Sequence, residues 1–114
     1  MRGGAIIAIS SHVARGSVGN RAMVFALERL GFAVWAVPTI VLPHHPGQGR
    51  AERIVPPNNR FVSVLERLLE RSSGEEIAGI VSGYFASREQ VHAVAAWSEG
   101  SSPRSRVRSI CATR

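Results

Sequence analysis

Three short apolar runs stand in the first 97 residues, and helical periodicity fills the spaces between and after them. "AIIAI" (Ala5–Ile9), "AVWAV" (Ala33–Val37) and "IAGIVSGY" (Ile77–Tyr84) read as strands. The first holds three isoleucines with no polar alternation, the pattern of a strand buried on both faces. A helix is predicted from about Gly19 to Leu30, with Asn20 as cap, Ala22, Phe25, Ala26 and Leu30 on one face, and Gly31 closing it. Phe61, Val64, Leu65, Leu68 and Leu69 recur at i, i+3, i+4, i+7 and i+8, so a second helix follows Asn59 as its cap. "SREQ" (Ser87–Gln90) is a capping box that starts a third, with Val91, Val94 and Ala95 facing inward. Trp35 and Trp97 are assigned to the core. This order predicts an α/β, Rossmann-like parallel sheet with helices on both faces and right-handed crossovers.

The segment "PTIVLPHHPGQGR" carries three prolines and two glycines. It reads as loop or edge structure after a strand that ends at Pro38, with a short strand at Ile40–Leu42. Ligands of open parallel sheets gather at the carboxyl ends of the strands. Those ends are "SSHVARGSVGN", "PTIVLPHHPGQG" and "SGYFAS", three polar, glycine-containing stretches that converge on one rim.

Composition narrows the chemistry. The 114 residues suffice for one domain, and 45% of them are hydrophobic, enough for a packed core. A single cysteine, Cys111, forms no internal disulfide, which fits a reducing compartment. The N-terminal apolar run is too short to span a membrane, so a cytoplasmic protein is expected. The net charge is +6, of which +3 falls in residues 98–114 and +3 is spread thinly over residues 1–97; without lysine-rich blocks or interleaved aromatics, no nucleic-acid partner is expected. All fourteen basic residues are arginine, and there is no aspartate. Any enzyme built from this chain alone must work with glutamate and histidine.

The candidate site residues stand in the rim stretches. "GSVGN" lacks the lysine and spacing of a phosphate-binding Walker loop. Spacing alone leaves two readings: a tight strand-to-helix turn, or a cradle for an anion or a polar ring edge at a helix N-terminus. His44 and His45 are adjacent and point to opposite faces of an extended segment, a poor pair for a metal, so no metal site is expected. One of them suits a pocket wall. Of Ser10 and Ser11, one hydroxyl should face the rim and the other inward. His12 has no acid partner in view. Tyr84, at a strand end, can stack on a flat ligand or donate its hydroxyl.

The composite pattern I-x-S-H-V-x-x-G-x-V-G-N-x-A-x-x-F-x-L-x-x-L-G-F-x-V-W-x-V-x-T, followed by "HHPGQG" and "SGY", resembles the N-terminal region of pyridoxal kinases of the ribokinase-like superfamily. The resemblance covers about residues 5–97. It implies the N-terminal half of a ribokinase-like fold and transfer of the γ-phosphate of ATP, with Mg2+, to the 5′-hydroxyl of pyridoxal. It implies that Ser11 hydrogen-bonds the pyridine ring, that Val18 packs on it, that His45, Pro46 and Gly47 belong to a flap, and that Tyr84 closes the site. It also implies a homodimer with no membrane partner.

Pro46 stands where the family often has threonine, and Gln48 where it has tyrosine, which admits a related pyridine or pyrimidine alcohol as substrate. The family's "G-x-G-D" segment, with its anion hole and catalytic aspartate, has no counterpart in a chain without aspartate. No catalytic residue is therefore assigned, and the chain alone is expected to be inactive. A non-catalytic vitamin B6-binding module and a hydroxymethylpyrimidine-type kinase are the alternatives.

Residues 98–114, with five serines and four arginines, are expected to be disordered or out of frame. Ile110 to Arg114 can be encoded ATC TGT GCG ACC CGG. With a T before it and a one-base shift, that reads Tyr-Leu-Cys-Asp-Pro, the start of the family's next strand. A single-base slip near Trp97 is the expectation, and it would leave the edge of the third strand open.

Overall fold

The computed structural model describes residues 4–44, 52–71, 77–100 and 109–111. Along the chain lie β1 (Ala5–Arg15), α1 (Asn20–Arg29), β2 (Ala33–His44), α2 (Asn58–Arg71), β3 (Ile77–Ser82), α3 (Arg88–Gly100) and β4 (Ser109–Cys111). The strands form one parallel sheet in the order β2-β1-β3-β4. The chain steps from β1 to β2 on one side, then crosses back over β1 to reach β3. With right-handed crossovers, this reversal puts α1 on one face and α2 with α3 on the other. The crevice where the direction reverses lies between the carboxyl ends of β1 and β3.

The main core fills the α2/α3 face. Ile7 and Ile9 of β1, Val37 of β2 and Ile77 and Ile80 of β3 meet Phe61 and Leu65 of α2 and Val94 and Trp97 of α3. The Trp97 indole N–H donates to the Leu65 carbonyl at 3.0 Å, so the largest core ring also ties the two helices together. Trp35 is only partly buried and packs against this cluster.

The structure moves several predicted boundaries and faces. β2 does not stop at Pro38; it continues through Pro38 and Pro43 to His44. It is the edge strand and pairs only with β1 within the sheet, a position where a missing N–H breaks no interior ladder. Asn20 is not a side-chain cap: Gly19 takes that position, and Asn20 is the first helical residue, turned inward and buried. The sheet-facing stripe of α1 therefore runs from Asn20 through Met23, Val24 and Leu27. Phe25 and Leu30, predicted to face inward, are each 64% exposed. The helix ends in a Schellman pattern at Gly31, with Phe32 N–H donating to Leu27 O and Gly31 N–H to Glu28 O.

α2 begins two residues earlier than predicted, at Asn58, and the Pro57 carbonyl accepts from the N–H groups of Arg60 and Phe61. Val64 points outward. α3 buries Gln90, Val94 and Trp97, one turn-spaced stripe, while Val91 and Ala95 are exposed. It extends to Gly100, and Ser109–Cys111 forms a fourth strand beside β3, within a stretch whose composition predicts no regular structure. The edge of β3 is thus paired at Ile80–Ser82 rather than open.

Candidate functional site

The rim is assembled where β1 outgrows its apolar core. β1 runs six residues beyond Ile9, and Ser10 and Ser11 are both buried at that transition. The inward hydroxyl is that of Ser10: its Oγ accepts the Tyr84 N–H at 2.9 Å. The preceding Gly83 N–H donates to Ile9 O at 2.9 Å, so the end of β3 is laced to the end of β1. A Cβ on Gly83 would stand 2.8 Å from Ser10 Oγ, which is why "SGY" needs its glycine.

On the other side of β1, the ladder slips. Ser10 faces Pro38 but His12 faces Val41, so β2 carries one extra residue opposite Ser11. This is a β-bulge placed directly after Pro38, which has no N–H to offer. Two features occupy the break. The Asn20 amide donates both hydrogens to strand carbonyls, to Ser10 O at 3.3 Å and Val37 O at 3.1 Å. Its Oδ1 is buried without a protein partner. Thr39, fully buried, sends its hydroxyl to the Tyr84 carbonyl at 2.9 Å.

The loop after β3 is fastened at its far end as well. Gln90 Nε2 donates to Thr39 O at 2.9 Å, and Gln90 Oε1 accepts the Ala86 N–H at 2.8 Å. The Gln90 N–H reaches Ser87 Oγ at 3.2 Å, one half of the predicted capping box. The reciprocal half is displaced by one residue, onto Ala86.

Gly19 closes the turn into α1 at φ 61° and ψ −137°, and forms an antiparallel bridge with His12. A Cβ there would overlap the carbonyl oxygen and Oγ of Ser11. The backbone of the helix start therefore lies flat against Ser11, and Val18, the residue before it, is 38% exposed. Tyr84 is held by its backbone and is 50% exposed. Ser11, Val18 and Tyr84 are thus brought to one rim. His45, Pro46 and Gly47 lie outside the described residues. His12 is exposed, and His44 is partly buried and paired in register with Arg15.

Thr39, Gln90 and the inward role of Asn20 are not visible in the residue pattern. Thr39 sits in a segment punctuated by proline, and the side chain of Gln90 is read only as a cap. Among the described residues no group of three His, Cys, Asp or Glu could hold a metal ion. No described helix is long and apolar enough to cross a membrane. An open depression at the start of α3, lined by Phe85, Ala86, Ser87, Arg88, Val91 and His92, contains none of the predicted site residues.

No family model matches the chain. Among curated proteins it is 39% identical over 79 residues to pyridoxal kinase PdxY of Corynebacterium diphtheriae, covering 69% of this chain and 28% of that protein. It is 37% identical over 89 residues to pyridoxal kinase PdxY of Deinococcus radiodurans, covering 78% and 30%. Among solved structures, pyridoxal kinase from Leishmania donovani in complex with ADP and pyridoxamine superposes with a TM-score of 0.78 at 31% identity, over 85% of this chain and 33% of that one. Pyridoxal kinase from Entamoeba histolytica superposes with a TM-score of 0.86 at 26% identity, over 95% and 39%. The chain spans about three-tenths of the length of the curated relatives it matches.

Proposed function

The chain is homologous to the pyridoxal kinases, with their ribokinase-like fold, and from that premise we infer that it forms the vitamin-facing N-terminal part of such an enzyme. The reaction is phosphorylation of the 5′-hydroxyl of pyridoxal, in a cytoplasmic homodimer without a nucleic-acid partner. The observation that carries this reading is the joining of β1 and β3 through Ser10 and Tyr84, at the crevice where an open parallel sheet takes its ligand.

The residues of that rim suit a flat heteroaromatic ring. The Ser11 hydroxyl supplies one oriented hydrogen bond, the Val18 side chain an apolar face, and the Tyr84 ring a stacking surface with a polar tip. The family resemblance assigns His45, Pro46 and Gly47 to the same site. Pro46 packs or accepts through its carbonyl and brings no hydroxyl.

ATP with Mg2+ supplies the phosphoryl group when bound. The sequence holds no aspartate to serve as the base that the resemblance assigns to this transfer. The rim residues therefore bind and orient the vitamin, and the chain alone binds pyridoxal without phosphorylating it. We assign the kinase-like part to residues 1–97.

Titration of the purified chain with pyridoxal tests this. The sequence has no lysine, so the aldehyde finds only the N-terminal amine for imine formation, and saturable binding reports on the rim. Binding should weaken about fivefold in Ser11→Ala, the worth of one hydrogen bond, and at least as much in Tyr84→Ala. Binding of a hydroxymethylpyrimidine in place of pyridoxal would reassign the substrate. No saturable binding of either would defeat the reading.

A further inference from the structure

We propose that Thr39 and Gln90, two buried polar residues remote from the rim surface, are positioning residues that set the Tyr84 ring for its ligand. The proposal rests on the pyridoxal-binding reading above. Both polar groups of the Tyr84 backbone are taken: its N–H by Ser10 Oγ and its carbonyl by the Thr39 hydroxyl. The Thr39 carbonyl is itself held by Gln90 Nε2, and Gln90 Oε1 holds the N–H of Ala86, two residues after Tyr84. The bonds close a ring through Thr39, Tyr84, Ala86 and Gln90. It ties the bulge of β2, the loop after β3 and the first turn of α3 into one unit.

The burial argues for this role. Thr39 is 0% exposed and Gln90 1%. A valine and a methionine would fill similar space with no hydroxyl or amide to desolvate, so the polar pair adds little to packing. What it adds is geometry, because a fully bonded buried network admits one arrangement of the groups it joins. The one segment it holds that reaches the rim surface is Tyr84, whose ring is half exposed and takes its direction from a backbone fixed on both sides.

Tyr84 is the only tyrosine in the sequence, so 3-fluorotyrosine labelling gives one fluorine NMR line that reports on this ring. Wild type and Thr39→Ser, which keeps the hydroxyl, should give one narrow line displaced from the unfolded position. Thr39→Val should broaden it or move it toward that position while far-UV circular dichroism stays native. Gln90→Met breaks the same ring of bonds from its other end and must disturb the same line, which guards against one variant that fails to fold. Pyridoxal affinity should fall about fivefold in Thr39→Val and no further when Tyr84→Ala is already present. An unchanged line in both variants, or equal weakening with and without the tyrosine, would overturn the proposal. A wild-type chain that binds no pyridoxal would defeat the proposed function instead, and the fluorine line would then decide the positioning role.

Discussion

Replacing Gly19 with alanine should be among the most damaging single-methyl additions in this molecule. Two costs combine. The backbone stands at φ 61°, ψ −137°, where a residue with a Cβ is strained by about 1–3 kcal/mol. The new methyl also overlaps the Ser11 carbonyl, a main-chain atom that cannot swing aside, and forced overpacking costs about 1–3 kcal/mol more. The loss of unfolded-state freedom returns only about 0.4–1 kcal/mol.

The net is roughly 3 kcal/mol. A chain of this length has about 6–17 kcal/mol in total at the usual 0.05–0.15 kcal/mol per residue, and the loss should lower the melting temperature by about 10 °C. Gly16 supplies the control. It also has a positive φ, of 131°, but a Cβ there would meet nothing within 4 Å. Gly16→Ala therefore carries backbone strain alone, and the difference between the two variants isolates the contact with Ser11. Urea denaturation followed by tryptophan fluorescence measures both. If Gly19→Ala and Gly16→Ala agree within about 0.5 kcal/mol, the close approach of the helix start to Ser11 is not what makes Gly19 necessary.

Gly83→Ala should cost about 1–3 kcal/mol through its contact with Ser10 Oγ, and Ser10→Ala about 1 kcal/mol through the lost Tyr84 N–H bond. The double variant should be more stable than their sum predicts, because removing the hydroxyl makes room for the methyl; strict additivity in denaturation midpoints would contradict the packing. Trp97→Phe should cost about 1 kcal/mol beyond its loss of area by removing the indole N–H bond to Leu65 O, and a melt unchanged from wild type would count against the α2–α3 tie. Asn20→Asp would aim a carboxylate oxygen at two carbonyls in a buried site, so its folded-state pKa is raised above the ordinary value near 4. A raised folded pKa means the loss is small in acid and grows as pH rises past the unfolded value, to about 3 kcal/mol or more at pH 7. A stability gap from wild type that stays flat between pH 3 and pH 7 would refute it.

The first three strands and their place in a parallel sheet were legible because each rested on a local signal. Ile6, Ile7 and Ile9 form a two-sided apolar run, and Phe61, Leu65 and Leu68 repeat at a helical period. The faces of α1 and α3 were misread for one shared reason. Periodicity looks for apolar residues to bury, and in both helices the anchor that sets the inward stripe is an amide: Asn20 in α1 and Gln90 in α3. Each amide satisfies backbone groups that a break in the sheet leaves short of partners. That need arises from tertiary structure, so no local pattern announces it. The exposed Phe25 and Leu30 are the price of reading hydrophobicity without those carbonyls.

The length of β2 and the burial of Thr39 follow from a single irregularity. Up to Thr39 the buried positions of β2 are odd, Val37 and Thr39; beyond it they are even, Ile40 and Leu42. On β1 the parity never changes, and Val13 continues the face of Ile7 and Ile9. A strand with period two cannot switch parity unless a residue is inserted, and the register slip between Ser10 and His12 is that insertion. Without it, Val41 would oppose Val13, and Ile40 and Leu42 would turn away from the small cluster they form with Val13. Read as sequence, "PTIVLP" is apolar without alternation, and its two prolines suggest a break. In the fold, the same residues are an edge strand that changes face once. The residue at the change is a threonine whose hydroxyl meets the Tyr84 carbonyl, so the defect that lengthens the sheet also anchors the loop at its rim.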